Sequence, residues 1–206
     1  MRNSDNDFSR HLPENLTLKG RFAHLEPLEY HHIGDLNLAA QDGDLWNLKV
    51  TTVPSADQMH AYVEEALQNK EQGSQRPFVI RRLSDNKIVG TTRYYALSRQ
   101  HRNLAIGFTW HSASAQRTPI NTECKFMLLK NAFEHAKCIS VQWHTYHGNK
   151  RSQAAILRLG ARFDGILRNH MILPDGRIRH THCFSMIDQE WPAAKVALTK
   201  KLESYH

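Results

Sequence analysis

The chain has 206 residues, 40% of them apolar and 23% charged, enough to bury one sizeable core without covalent staples and too few to suggest two domains. It has no apolar run of about eighteen residues and no charged start followed by an apolar core, so neither a membrane span nor a secretory leader is expected, and the expected compartment is the cytoplasm. A net charge of +7 attracts phosphate without specifying a sequence, and an odd count of 3 cysteines without C-x-x-C reads as reduced thiols.

In chain order, Met1 to Glu14 is polar and expected to be mobile, with one apolar anchor at Phe8 or Leu12. A single domain is expected over 15–206. Leu16, Leu18 and Phe22 suggest a first strand. Pro27 to Ala40 has the P-L-E opening of a helix that stops before a D-G-D turn. Pro54 to Gln72 reads as a second helix, striped by Met59, Tyr62, Val63, Ala66 and Leu67, capped by Ser55 and ended by Gly73. Phe78 to Leu83 and Lys87 to Leu97 form a hairpin through S-D-N-K. Leu104 to Trp110 is a strand that feeds a helix capped by Asn121 or Thr122. That helix has Glu123 in its positive first turn, Phe126, Leu129, Phe133 and Ala136 on its apolar face, and Lys137 at its end. Cys138 to Tyr146 alternates with period two and leads into a helix that Asn149 caps and Gly160 ends. Arg162 to Leu173 and Arg177 to Ile187 form a hairpin turned at P-D-G, and Trp191 to Tyr205 closes the chain as a helix.

Two of these strand, loop and helix segments carry chemistry. In the first, Arg117, Thr118 and the amides from Arg117 to Thr122 stand at a helix start, where free N–H groups attract phosphate and could hold a diphosphate. In the second, Asn149 and Ser152 lie three apart on one helical face at a strand's exit. The bland alternative there is a capping side chain and a hydroxyl that faces water.

With both segments in order, the chain resembles the GCN5-related N-acetyltransferase superfamily, and within it the ribosomal-protein alanine acetyltransferases. The resemblance rests on D-G-D-L-W at Asp42 to Trp46, K-I-V-G-T-T-R-Y at Lys87 to Tyr94, I-G-F-T-W at Ile106 to Trp110 and Q-R-T-P-I-N-T-E at Gln116 to Glu123. The N-x-x-S helix with L-G-A-R-F-D-G-I-L-R through Arg168 completes it, so it covers nearly the whole chain. It implies a mixed α/β (α+β) acyl-CoA N-acyltransferase fold. The central sheet would be mostly antiparallel, with about seven strands splayed at the CoA site and four to five flanking helices.

The same resemblance implies acetyl-CoA as acyl donor and a primary amine as acceptor, either a protein N-terminus or a small molecule. Phe108, Thr109 and Trp110 would pair with the pantetheine amides. Gln116, Arg117, Thr118, Ile120, Asn121 and Thr122 would hold the diphosphate. Asn149 would bind the pantetheine arm, and Ser152 would protonate the leaving thiolate as the catalytic acid. Asp42, Trp46 and Tyr94 would line the acceptor groove. No metal, no membrane and no sequence-specific nucleic acid is expected, and a homodimer stays open.

The chain departs from the family pattern twice. Pro119 and Asn121 stand where the diphosphate loop normally has glycines, which let a backbone approach a ligand closely. Ala105 stands where many relatives have a glutamate suspected as base, leaving Asp42, Asp44, His144 and His111 as candidates. His180, His182 and Cys183 form a poor metal site, since on a strand the two histidines share a face and the cysteine points away. Two rival readings follow. One is a CoA-binding protein with weakened catalysis, and the other is a basic nucleic-acid or ribosome-binding module on the same fold. The scatter of Arg76, Arg81, Arg82, Arg99, Arg102, Lys195, Lys200 and Lys201 fits a solvated basic surface better than a binding stripe.

Overall fold

The structure, a computed structural model, describes residues 8–47, 53–173 and 175–205. Its strands are β1 (Leu18–Lys19), β2 (Ala23–Pro27), β3 (Arg76–Arg82), β4 (Ile88–Ser98), β5 (Asn103–His111), β6 (Ser140–Tyr146), β7 (Arg162–Ile172) and β8 (Ile178–Ile187). They form one sheet in the order β1-β2-β3-β4-β5-β6-β8-β7. The sheet has 8 strands rather than about seven, because the two-residue β1 pairs with His24 and Leu25 at the edge. All neighbours are antiparallel except β5 and β6, which run parallel.

The helices are α1 (Ile33–Gln41), α2 (Met59–Glu71), α3 (Ile120–Lys130), α4 (Lys150–Leu157) and α5 (Trp191–Glu203). Strand alternation divides the core between the two faces of the sheet. Phe78, Ile80, Val89, Tyr94, Leu104 and Ile106 pack with Cys124, Leu128 and Leu198 of α3 and α5. Val79, Ile88 and Trp110 pack on the other face with Leu36, Met59 and Val63 of α1 and α2. A mixed sheet covered on both sides is the expected fold, and the layers explain why β3 and β4 are buried almost throughout.

Several local expectations are corrected. Residues 8–14 are docked rather than mobile, and Phe8 and Leu12 both sit in the core. Arg76 Nε donates to the Leu12 carbonyl at 2.7 Å and Asn131 Nδ2 to that of His11 at 3.0 Å. The rest of that expectation, residues 1–7, lies outside the described residues. Pro27 ends β2, and a 3₁₀ turn at Tyr30–His32 precedes α1. The second helix begins at Met59, because the Ser55 hydroxyl bonds Asp57 in a preceding turn and caps nothing.

The third helix keeps its α form only to Lys130 and widens into a π turn at Asn131–His135, where the Ala136 amide reaches back to the Asn131 carbonyl. Neither Asn121 nor Thr122 caps it, since both lie inside the first turn and Pro119 holds the cap position. Glu123 does more than face the helix dipole. Buried, it accepts the backbone N–H groups of Arg21, Phe22 and Ala23 at 2.7, 2.7 and 2.8 Å, locking the β1–β2 turn onto α3.

Candidate active site

β5 and β6 pair only through Asn103–Ala105 with Ser140–Gln142. Past that point β5 stays with β4 and β6 stays with β8, so the two parallel strands part. A bulge shapes the parting. Thr91 pairs with Trp110 but Arg93 with Gly107, which leaves one extra residue on β5, and Phe108 takes a left-handed φ of +51°. Gly90, at φ +152°, passes so near the Trp110 carbonyl oxygen that no Cβ would fit, so the bulge needs glycine opposite it.

The gap is a cavity of about 320 Å³, of the order expected for a small-molecule site. Ile106 to His111 form one wall, Trp143 to Tyr146 the other, and Asn149, Arg151 and Ser152 of the α4 segment a third. The N-x-x-S helix forms as its local sequence demands. Asn149 caps it, its Oδ1 accepting from the Ser152 amide at 3.0 Å, and Gly160 follows the helix with a left-handed φ of +96°. Ser152 Oγ has no hydrogen-bond partner among the described residues and stands on the cavity wall.

The loop before α3 supplies a second polar feature. Among the described residues, the amides of Arg117, Thr118, Asn121 and Thr122 meet no protein acceptor, whereas the amide of Glu123 is bonded to the Pro119 carbonyl. Such a run of free N–H groups at a helix start suits a phosphate. Gln116 Nε2 donates to the His111 carbonyl at 2.9 Å, and its Oε1 accepts from Arg151 at 2.8 Å. The arginines that line the cavity are Arg151 and Arg179, while Arg117 is exposed and sits at φ +61°. Pro119 at φ −65° is unstrained and Asn121 lies in the helical first turn, so the missing glycines impose no backbone strain. Thr118 turns its hydroxyl to the Ala115 carbonyl, and Ile120 and Thr122 are buried away from the cavity.

Trp110 Nε1, Trp143 Nε1 and His111 Nδ1 are buried atoms of residues that line the cavity, with no hydrogen-bond partner among the described residues.

Sequence reasoning missed Lys125. Its side chain is buried on the cavity edge, where Nζ donates to Thr109 Oγ1 at 2.6 Å and Thr92 Oγ1 at 3.1 Å, and burial pushes the ammonium down to about 8. It makes no ion pair with a carboxylate among the described residues. Helical spacing was the available signal, since Leu128 and Leu129 lie three and four residues on and are buried. His111, named as a candidate base, is half-buried, and desolvation pushes it down to about 4, with Nε2 at 3.1 Å from Asn121 Oδ1.

The acceptor-groove residues are not brought to this cavity. Tyr94 is corrected outright. It is fully buried, edge-on to Phe78, and its hydroxyl donates to the Leu128 carbonyl, so it is a core residue. Trp46 is partly buried against the α1–α2 layer. Asp42 accepts from the Ser114 amide at 3.1 Å, and hydrogen bonding to Ser114 holds its carboxyl below the usual range. Leu45 and Val53 reach the cavity from that side instead. Asp44 is an exposed turn residue at φ +48°.

Several of the basic residues are engaged locally. Arg81 grips Glu26, Arg82 grips Asp85, and Lys195 pairs with Glu134.

Several solved structures are similar to the chain. A GCN5-related N-acetyltransferase from Brucella melitensis is 27% identical with a TM-score of 0.84, covering 93% of this chain and 87% of its own. A probable GNAT-family acetyltransferase from Chromobacterium violaceum is 28% identical with a TM-score of 0.76, covering 87% and 89%. Mycobacterium smegmatis RimJ, in complex with CoA-disulfide, shares the fold at 21% identity and a TM-score of 0.74, covering 91% and 95%. No curated protein matches the sequence. The model of the acetyltransferase (GNAT) domain family matches residues 23–162, more than half of the chain, and the protein belongs to that family.

Proposed function

We propose that this protein transfers the acetyl group of acetyl-CoA to a primary amine, as the ribosomal-protein alanine acetyltransferases do with a protein N-terminus. One observation carries the reading. The cavity between the parted strands has a free hydroxyl, Ser152, on its wall and a run of unbonded amides at the start of α3 beside it. RimJ, which shares this fold, is in complex with CoA-disulfide, and that supports a CoA ester as donor.

In this chemistry a neutral amine attacks the thioester carbonyl, a C–N bond forms, the C–S bond breaks, and Ser152 gives its proton to the departing thiolate. Ser152→Ala should lower kcat by about 100-fold, in line with the loss of one positioned acid, while CoA affinity stays unchanged. Unaltered turnover in that variant removes Ser152 from the mechanism.

The founding test is calorimetric titration with acetyl-CoA and with CoA, followed by a screen of amines and peptides. Micromolar binding is the expected result, and absence of binding sinks the proposal. Ala105 favours a second reading, a CoA-binding protein with weakened catalysis, because a fully buried alanine offers no proton acceptor there. Binding without turnover of any amine would select it.

A further inference from the structure

An amine reaches a neutral-pH active site mostly as ammonium, and with alanine at position 105 its proton needs another acceptor. Strand register brings His144 to the gap and Tyr95 up to His144. Tyr95 of β4 is the partner of Ala105 on β5, and Ala105 is the partner of Gln142 on β6. Paired residues share a face and alternate residues return to it. Tyr95, Ala105, Gly107, Gln142 and His144 therefore all face the α1–α2 side of the sheet. His144, two residues past Gln142, stands across the parting from Gly107.

Glycine at 107 makes the junction. A Cβ there would lie 2.7 Å from Tyr95 Cε1, so the tyrosine ring passes over β5 where the strand has no side chain. Phe108 supports the ring edge-on at a centroid distance of 5.3 Å. The Tyr95 hydroxyl then meets His144 Nδ1 at 2.9 Å. Nε2, on the opposite edge of an imidazole that lines the cavity, has no hydrogen-bond partner among the described residues.

We infer that Tyr95 and His144 are the proton-accepting pair of the acetyl transfer, with His144 Nε2 taking the proton of the incoming ammonium and Tyr95 Oη accepting from Nδ1–H. The inference rests on the acetyl-transfer reading above. Nε2 takes one proton from the ammonium and passes it to solvent. The neutral nitrogen attacks the thioester carbonyl, C–N forms and C–S breaks. The second proton leaves nitrogen and reaches the thiolate through the Ser152 hydroxyl, so the products are the amide and CoA thiol. His144 is the catalytic residue, and Tyr95 positions it by fixing the tautomer that leaves Nε2 unprotonated.

The surroundings keep the imidazole ready. Burial first, then His170 of β7 and Arg179 of β8, lower its pKa, while Asp164 of β7 opposes them. Burial holds the Tyr95 hydroxyl up at about 12, with Arg179 opposing and Cys183 assisting, so it stays protonated. Of the other candidates, His111 is spent on Asn121 and Asp42 on Ser114.

The test uses the full chain, acetyl-CoA and the amine that the acceptor screen returns, with kcat/KM measured from about pH 5 to 9. His144→Gln should lose about 100-fold at pH 7 and lose the acidic limb that imidazole protonation gives the wild type. Its deficit should shrink as pH approaches the amine's own pKa, and its CoA affinity by calorimetry should equal that of the wild type. Tyr95→Phe should keep the limb and shift its midpoint. A His144→Gln enzyme with the wild-type rate and limb overturns the pair alone. A wild type that binds no acetyl-CoA overturns the acetyl-transfer reading, and the pair with it.

Discussion

Lys125 shows what a single side chain contributes when the fold buries it. Its ammonium has two threonine hydroxyls for company and titrates near 8, against an ordinary lysine value of 10.5. Between those two values the unfolded chain binds more protons than the folded one, so stability rises with pH across that window. Below about 8 the burial penalty is complete, and above 10.5 it is gone. Lys125→Met should therefore raise Tm at pH 7 by at least about 2 °C, with the gain fading as pH passes 10.5. Thr92 and Thr109, 2.8 Å apart, still have each other. Thermal scans of both proteins across pH decide it, and an unchanged Tm at pH 7 would mean that the site already accommodates the charge. Asn149 and Ser152 were legible in the sequence because a cap and its N3 partner are local. Lys125, His144 and Tyr95 were harder, since their surroundings are set by the registers of three strands. Tyr94 was misplaced because a tyrosine in a motif shows neither which face of β4 it takes nor that α3 closes over it.

Whole elements were easier to read than their ends. The alternation in β6 and the Asn149–Gly160 frame of α4 needed no tertiary information. The starts of α1 and α2 shifted by several residues because proline and serine marked turns before the helices rather than the helices themselves. The π turn after α3 had no local signature, and it aims Asn131 at the His11 carbonyl. Glu123 is the clearest case of an element held by another. Both of its oxygens accept backbone N–H groups from the β1–β2 turn. Glu123→Gln replaces one acceptor with an NH₂ group facing a donor, and it should lower unfolding free energy by about 1–3 kcal/mol. Urea titration at constant m-value measures this, and an unchanged midpoint would show that the turn is held by other contacts.

At the scale of the molecule, a mixed α/β sheet flanked by helices is what the family resemblance implied, and the structure has it. The place of the late hairpin was not legible in the sequence. β8 lies between β6 and β7, and a hairpin's sequence does not say which of its strands will pair inward. No helix among the described residues is long and apolar enough to cross a membrane. A donor that binds only the folded chain must raise its stability, by about 2.7 kcal/mol at one hundred times Kd. For a chain of this size that is roughly 5–10 °C in Tm. A thermal scan with saturating acetyl-CoA should show that shift, and its absence would count against a donor site.

The three-residue pairing of β5 with β6 has one more consequence. It puts a strand edge in the middle of a sheet. Edges on the outside of a protein recruit stray chains and are usually blunted by charge, proline or a bulge. This one lies inside the sheet, because the neighbouring strand departs only after its first few residues, and the space between is a cavity of about 320 Å³. An extended molecule that carries amides has backbone groups of β5 and β6 to pair with there, as at any sheet edge. The opening for such a thread comes from the sheet's topology before any side chain contributes.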